Sequence, residues 1–285
     1  MYDGLKRIRT VAALREQVKA WRLAGERIGL VPTMGALHAG HIALVEAARA
    51  RADRVIASVF VNPTQFGPNE DFSRYPRTLE ADMEKLAAAG ADAVYTPDVA
   101  GMYADGFATT ITVGGPALGL ETDFRATHFA GVATVVCKLF TQTAPDVAFF
   151  GEKDYQQLQV VKRMARDLDL PVEVVGVPTI READGLALSS RNVYLSTEER
   201  VVAPALHRAL LQAAADIASG ITPAIATSRA RDVVAEAGFV VDYIEARNAE
   251  TLAPLGVGEI EPIRLLAAAK LGRTRLIDNI PVSSH

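Results

Sequence analysis

The sequence predicts an α/β fold in which a parallel sheet carries helices on both faces and a smaller C-terminal α+β domain follows. Through the first two-thirds of the chain, apolar runs of strand length alternate with amphipathic helical patterns. This alternation is typical of parallel strands joined by crossover helices. It ends near residue 180, where two helical patterns precede two strand-like runs. We therefore predict domains at residues 1–179 and 180–285.

Hydrophobic spacing assigns the elements of the first domain. Apolar residues three and four positions apart indicate helices, and short runs rich in valine and isoleucine indicate buried strands. Helices are predicted at residues 11–24, 41–51, 78–89, 131–143 and 154–168, and strands at residues 27–33, 54–61, 92–96, 147–150 and 172–177.

The second domain begins its helices with a recognisable cap. The sequence Ser196-Thr197-Glu198-Glu199 fits a capping box, which marks a helix start, and this helix is predicted to run to residue 219. A further helix at residues 223–237 and strands at residues 239–247 and 263–271 complete the prediction.

The composition excludes several classes of protein. The 285 residues are 49% hydrophobic and 22% charged with a net charge of −4, unlike the basic surface of a nucleic-acid binder. Residues 1–15 lack the apolar core of a signal peptide, and no apolar run could span a bilayer. The single cysteine, Cys137, excludes an internal disulfide and is expected to be a buried, inert thiol. We expect a soluble cytoplasmic protein that binds neither nucleic acid nor membrane.

The most informative segment is residues 32–41, with the sequence PTMGALHAGH. It follows a predicted strand and precedes a predicted helix, so His38 and His41 lie at a helix entrance. Unpaired N–H groups and the positive end of the helix dipole favour an anion there, and each imidazole adds a donor. We interpret the segment as a site for a nucleoside triphosphate. In the alternative interpretation, one histidine caps the helix and the other lies on the surface.

Polar residues also follow the second and fourth predicted strands, at the edge where ligands bind in parallel sheets. Asn62 and Gln65 follow the second strand and suit a ligand with hydroxyl and carboxylate groups, or form a polar turn. Lys153 follows the fourth predicted strand and offers a mobile charge for phosphate. Asp154 beside it either caps the next helix or supports a cation or ribose. Gln157, one turn into that helix, is expected to face the same crevice as Gln65.

The loop at residues 184–192 contains Ser189, Ser190 and Arg191. Two hydroxyls followed by a guanidinium can close over a polyphosphate and neutralise a leaving pyrophosphate. The alternative is a surface linker between the domains.

Three further residues have two interpretations each. Arg125 and His128 precede the helix predicted near residue 131, where they could hold a carboxylate or serve as solvated capping residues. Asp82 could ligate Mg²⁺ through phosphate or water, or belong to a solvated helix face. No cluster of cysteine and histidine in the sequence indicates a zinc site.

Six segments in this order resemble the pantoate–β-alanine ligase family: PTMGALHAGH, FVNPTQF, RYPRTLEAD, THFAGVATVV, FFGEKDYQQ and READGLALSSRN. The match covers most of the chain, and the occurrence of all six segments together is very specific. The family belongs to the HIGH-type nucleotidyltransferases, whose sheet is Rossmann-like. The resemblance implies a homodimeric enzyme that uses ATP to join (R)-pantoate to β-alanine. We expect Mg²⁺ to help to neutralise the charge that grows on the leaving pyrophosphate. The reaction passes through pantoyl adenylate and releases pyrophosphate and AMP.

The resemblance also implies roles for the matching positions. His41 is the residue usually assigned as proton donor. From their chemistry, we predict that His38, His41, Lys153 and Arg191 are catalytic groups that stabilise the charge growing on the pyrophosphate. Gln65 and Gln157 would hold pantoate. ATP would be bound by Met34, Gly35, Ala36, Leu37, His38, Ala39, Gly40, His41, Gly151, Glu152, Lys153, Asp154, Ile180, Leu188, Ser189, Ser190 and Arg191.

The chain departs from the family pattern at two places. Leu188 replaces a methionine, an apolar exchange that should have a mild effect. Ala126 and Thr127 replace Pro-Gly between Arg125 and His128, which alters the geometry of that turn.

Two other functions are compatible with some of these segments. One is a nucleotidyltransferase that transfers AMP or CMP to a phosphate ester, which would need a basic acceptor pocket. Paired glutamines suit a neutral hydroxyl and a carboxylate better. The other is a non-catalytic nucleotide-binding protein. A tRNA-charging role is disfavoured by the net charge of −4.

Overall fold

The computed structural model describes residues 4–68, 70–256 and 262–282. Within these ranges, the first domain contains a parallel sheet with the strand order β1-β4-β3-β2-β5-β6. The strands are β1 (Lys6–Ile8), β2 (Ile28–Thr33), β3 (Arg54–Val59), β4 (Ala93–Tyr95), β5 (Val147–Gly151) and β6 (Glu173–Val177). The predicted parallel sheet is therefore confirmed, although β1 was not predicted because its three residues carry little hydrophobic signal.

Helices cover both faces of this sheet, as predicted. They are α1 (Val11–Leu23), α2 (Ala39–Arg49), α3 (Leu79–Ala88), α4 (Val99–Met102), α5 (Glu121–Phe124), α6 (His128–Thr143) and α7 (Tyr155–Asp167). Successive residues of β2 point to opposite faces. Ile28 and Leu30 pack in one core with α1, α6 and α7, whereas Val31 packs in the other with α2 and α3.

The second domain is a three-stranded antiparallel sheet covered by helices. The helices are α8 (Thr197–Val202), α9 (Ala205–Ala218) and α10 (Pro223–Glu236), and the strands, in sheet order, are β7 (Val240–Asn248), β8 (Ile263–Leu271) and β9 (Thr274–Val282). Their apolar side chains form a separate core. The boundary at residues 179/180 falls between β6 and α8 and stays a prediction.

Two predictions for the second domain were wrong. The continuous helix expected from residue 196 to 219 is broken after Val202 and resumes at Ala205. Pro204 lies at the break, where it lacks an N–H and its ring would clash with the carbonyl four residues earlier. Strand β9 was also missed, because its polar Asp278 and Asn279 interrupt the apolar pattern.

The described ranges contain no helix long and apolar enough to cross a membrane. Cys137 is a free, partly buried thiol in α6, and burial raises its pKa. A raised pKa keeps the thiol protonated, as expected for an unreactive cysteine.

A close approach between α6 and the turn after β3 fixes one wall of the first domain. Gly131 in α6 lies against the backbone of Thr64 and Gln65. A Cβ at Gly131 would lie 2.6 Å from the Thr64 carbonyl carbon and 2.8 Å from the Gln65 amide nitrogen. Both neighbours are backbone atoms, so only glycine allows the helix to pack at this distance.

We expect Gly131→Ala to destabilise the protein by about 1–3 kcal/mol, the usual cost of overpacking a well-filled interior. The free energy of unfolding in urea measures this. Gly114→Ala is the matched control, since a Cβ at Gly114 meets nothing within 4 Å and its φ of −85° suits alanine. Equal stability of the two variants would contradict the packing argument.

Candidate active site

The order of strands reverses between β2 and β5, and the predicted site segments meet there. β2 pairs with β3 on one side and with β5 on the other. The connections that leave β2 and β5 therefore run in opposite directions and open a crevice at the carboxyl ends of the strands. Residues 34–41 follow β2 and residues 152–154 follow β5. Two of the segments predicted to bind ATP thus flank one crevice.

A buried carboxylate holds the turn after β2. Gly35 and Ala36 both have positive φ values, +85° and +52°, so the chain turns sharply. Asp82 of α3 accepts hydrogen bonds from the N–H groups of Ala36 (2.9 Å) and Leu37 (2.8 Å). Lys85, on the same helix, donates to the Leu37 carbonyl at 2.6 Å. These contacts fix the backbone that leads into His38.

The structure therefore gives Asp82 a different role from the predicted Mg²⁺ ligand. The residue is 0% exposed, each of its carboxylate oxygens accepts a backbone N–H, and the Thr78 hydroxyl lies 3.3 Å from both. A cation in the crevice has no access to this carboxylate. In the part of the chain that the structure describes, no group of three or more histidine, cysteine or acidic residues could hold a metal.

His38 and His41 form a neutral pair at the start of α2, with ring centroids 4.1 Å apart. The His38 Nδ1 accepts a hydrogen bond from the Gly40 N–H (3.1 Å), and the His41 Nδ1 accepts from the His38 N–H (3.3 Å). Burial lowers the pKa of His38 to about 4 and that of His41 to about 3, and the charge of Lys153 acts in the same direction. Because each Nδ1 accepts, each neutral ring carries its proton on Nε2, where it can be donated to an oxyanion.

Asn62 orients Gln65 rather than presenting a second ligand group. Asn62 is 1% exposed, and its Nδ2 donates to the Gln65 Oε1 at 3.1 Å and to the Gly131 carbonyl at 3.2 Å. Its Oδ1 accepts from the Tyr103 hydroxyl at 2.8 Å. The Gln65 Nε2 donates to the Met34 sulfur at 3.1 Å, a weak acceptor. The Gln65 amide can therefore exchange this sulfur for a ligand oxygen.

Arg125 and His128 hold the same glutamine by its backbone. Arg125 makes a two-point ion pair with Glu70 at 2.6 and 2.7 Å and donates to the Gln65 carbonyl at 3.3 Å. The His128 Nδ1 donates to that carbonyl at 2.9 Å, which leaves Nε2 to accept from Arg125 at 3.2 Å. Burial and the Arg125 charge lower the pKa of His128 to about 4. His128 is buried and Arg125 is half-buried, and both are bonded to protein groups, so neither is a solvated residue.

The turn after β5 places Lys153 and Asp154 side by side, with the Lys153 Nζ 3.7 Å from an Asp154 carboxylate oxygen. Desolvation raises the pKa of Asp154, but the charges of Lys153 and Arg191 outweigh it and hold the pKa below its usual value. Asp154 makes no capping hydrogen bond to α7, so the capping alternative was wrong. Gln157 lines the same cavity as both residues.

The loop at residues 189–191 is docked on the first domain rather than exposed as a linker. Arg191 makes a two-point ion pair with Asp71 at 2.9 and 3.2 Å, and its guanidinium lies 6.0 Å from the centre of the Tyr75 ring. The Tyr75 hydroxyl is 3.3 Å from the Ser190 hydroxyl. Sequence reasoning missed Asp71 and Tyr75, although both lie in or beside the segment RYPRTLEAD.

A cavity of about 570 Å³ is lined by loops and helices of the first domain and by the sheet of the second. Seven predicted site residues line it: Arg125, His128, Lys153, Asp154, Gln157, Ser189 and Arg191. Its walls do not include His38, His41 or Gln65. Ile180 and Leu188 are joined to each other, since the Leu188 N–H donates to the Ile180 carbonyl at 3.0 Å.

A model of the pantoate–β-alanine ligase family matches residues 6–281 of this chain. The chain belongs to this family. Pantothenate synthetases of Rhodopseudomonas palustris and Paramagnetospirillum magneticum are each 58% identical to it, over 96% of this chain and 97% of theirs. The family assignment suggested by the six sequence segments is thus confirmed.

Solved structures of the ligase family share the fold. The pantothenate synthetase of Thermus thermophilus superposes with a TM-score of 0.91 at 51% identity, covering 97% of this chain and 99% of that one. The Francisella tularensis ligase superposes with a TM-score of 0.83 at 32% identity, covering 99% of both chains. That structure is a complex with "Beta-gamma ATP" and β-alanine.

We expect this ligase to lose stability as the pH falls from about 7 to 5. His38, His41 and His128 have pKa values of about 4, 3 and 4 when folded, against an ordinary value of 6.5. Below pH 6.5 these three histidines take up protons in the unfolded chain but remain neutral in the folded chain. Each histidine therefore costs up to about 1.4 kcal/mol per pH unit in this range and nothing above it.

Urea unfolding at several pH values measures this slope. In His128→Asn, the new amide retains an N–H donor for the Gln65 carbonyl but does not titrate. We expect the slope of its free energy of unfolding against pH to correspond to the uptake of about one proton fewer on unfolding than in the unaltered protein. A free energy of unfolding that stays constant between pH 7 and 5 would contradict the neutral, buried state of these rings.

Proposed function

We propose that this chain joins (R)-pantoate to β-alanine with ATP, through pantoyl adenylate, and releases pyrophosphate and AMP. The observation that carries this proposal is the arrangement at the β2–β5 crevice. Two neutral imidazoles and Lys153 supply donors for a polyphosphate, and Gln65 supplies an amide beside them. The family membership supports the reaction, and the ATP-type ligand and β-alanine bound to the Francisella relative support both substrates.

In the first half-reaction, a pantoate carboxylate oxygen attacks the α-phosphorus of ATP. The bond to the bridging oxygen breaks, and negative charge grows on the leaving pyrophosphate. The Nε2–H groups of His38 and His41 and the Lys153 ammonium are the proposed donors to this charge, because preorganised donors stabilise developing charge most effectively. Arg191 binds Asp71 through Nε and one Nη, so its other Nη is available for a phosphate oxygen.

In the second half-reaction, the β-alanine nitrogen attacks the acyl carbon, the bond to the adenylate oxygen breaks, and AMP leaves. Gln65 and Gln157 are the proposed ligands of the pantoyl group. The attacking amine must be neutral. Imidazoles with pKa values of about 3 and 4 are weak bases, so we propose that the amine loses its proton to solvent.

Mg²⁺ would enter with ATP and offset the charge of its phosphates. Mg²⁺ is usually held by one or two carboxylates together with substrate phosphates. Asp154 fits this requirement, because it lines the cavity and its lowered pKa keeps it ionised at neutral pH. The family resemblance also supports a cytoplasmic homodimer.

The Lys153→Ala variant tests the first half-reaction. With ATP, Mg²⁺ and pantoate alone, we expect pyrophosphate formation in a single turnover to slow by about 10²–10³-fold, the usual cost of losing one preorganised donor. Lys162→Ala is the matched control, since Lys162 is an exposed residue of the helix that follows. In a complete turnover, the unaltered protein should form AMP only when β-alanine is present. Formation of AMP without β-alanine, or binding of ATP without turnover, would contradict the proposed ligase function.

A comparison of His41→Gln with His41→Ala tests how His41 acts. Because the pKa of about 3 leaves the ring neutral, we propose that His41 donates a hydrogen bond and transfers no proton. Glutamine retains an N–H donor but cannot act as an acid at neutral pH. We expect His41→Gln to form the adenylate at least about ten times faster than His41→Ala. Equal loss in both variants would favour proton transfer.

A further inference from the structure

Strand β9 of the second domain holds the loop that carries Lys153. Asn279 is 3% exposed, and its Nδ2 donates to the carbonyls of Glu152 and Lys153 at 2.9 Å each. Its Oδ1 accepts from the Arg264 Nε at 2.7 Å. The opposite amide orientation would set an NH₂ group against a guanidinium, so the hydrogen-bond network fixes the side chain in one orientation.

Arg264 supports the same loop from β8. It is 7% exposed, donates to the Glu152 carboxylate at 3.1 Å, and places its guanidinium 4.0 Å from the centre of the Tyr155 ring. Glu152 and Tyr155 lie on either side of Lys153 and Asp154 in the sequence. The second domain therefore holds the loop at both ends of the segment that faces the crevice.

The residue before Asn279 holds the opposite wall. Asp278 is 4% exposed and makes a two-point ion pair with Arg181 at 2.7 and 2.8 Å. Arg181 also donates to the Gly185 carbonyl at 3.1 Å, and an isolated bridge joins Arg181 to Ala187. The chain then continues directly into the loop at residues 189–191. Adjacent residues of one strand thus anchor two of the segments proposed to bind the phosphates, the Lys153 loop and the loop at residues 189–191.

We infer that Asn279 is a positioning residue for Lys153, and that the Asp278–Asn279 pair sets the spacing between Lys153 and the loop at residues 189–191. This inference rests on the proposed function. The Asn279 amide is engaged by Arg264 and by the backbone carbonyls of Glu152 and Lys153, so its proposed effect on the reaction passes through Lys153. Misplacement of a catalytic group by about 1 Å can cost about 100-fold in rate.

The rate of pyrophosphate formation with saturating ATP and pantoate tests this role. We expect Asn279→Ala to slow it by about ten- to hundredfold. Asn279→Asp keeps the size of the side chain but sets an oxygen against two carbonyls, so we expect a similar loss of rate. This variant replaces Asn279→Ala in the test if the alanine variant fails to fold. Ile280→Ala, in the adjacent core position, is expected to lower thermal stability but leave the rate unchanged below its unfolding temperature.

A double variant separates positioning from general damage. If Asn279 acts through Lys153, Lys153→Ala/Asn279→Ala is no slower than Lys153→Ala alone, because the group being positioned is already absent. Multiplied losses in the double variant, or an unchanged rate in Asn279→Ala, would overturn the inference and leave the ligase function intact. Absence of pyrophosphate from the unaltered protein would overturn the proposed function, and this inference with it.

Discussion

Parallel pairing of β2 with both β3 and β5 is the constraint on which the rest of this structure depends. Because parallel strands cannot be joined by tight hairpins, each one must return through a helix on one face of the sheet. The order of strands reverses at β2 and β5, so their outgoing loops separate and leave a crevice. The histidine segment and the Lys153 loop meet there for this reason, although they lie far apart in the sequence.

Buried polar side chains convert this crevice into a preorganised site. Asp82 accepts hydrogen bonds through its carboxylate oxygens, and Asn62 and Asn279 donate through their amide nitrogens, to hold groups of the loops that face the crevice. Such groups are costly to bury unless they are hydrogen-bonded, so each loop has one favourable position. The same burial lowers the pKa values of His38 and His41 and keeps both rings neutral at pH 7.

Much of this fold was predictable because apolar residues recur along the sequence with the periods of strands and helices. The first domain's β2, β3 and β5 followed from apolar runs of strand length, and α7 from its apolar spacing. Short or interrupted elements were not predictable. β1 gains its stability from pairing with β4, and β9 carries Asp278 and Asn279 for contacts with distant loops. These features depend on neighbours that the local sequence does not reveal.

By itself, the sequence determined the fold class, the family and the segments that carry chemistry, because these depend on local patterns and on residue types at fixed spacing. Only the tertiary structure decided what individual polar residues do. Asp82 and Asn62 resemble ligands in the sequence, yet they hold other protein groups; Asn279 shows no signal, yet it holds the Lys153 loop. Burial and hydrogen-bond partners make these distinctions, and both arise from contacts between residues far apart in the chain.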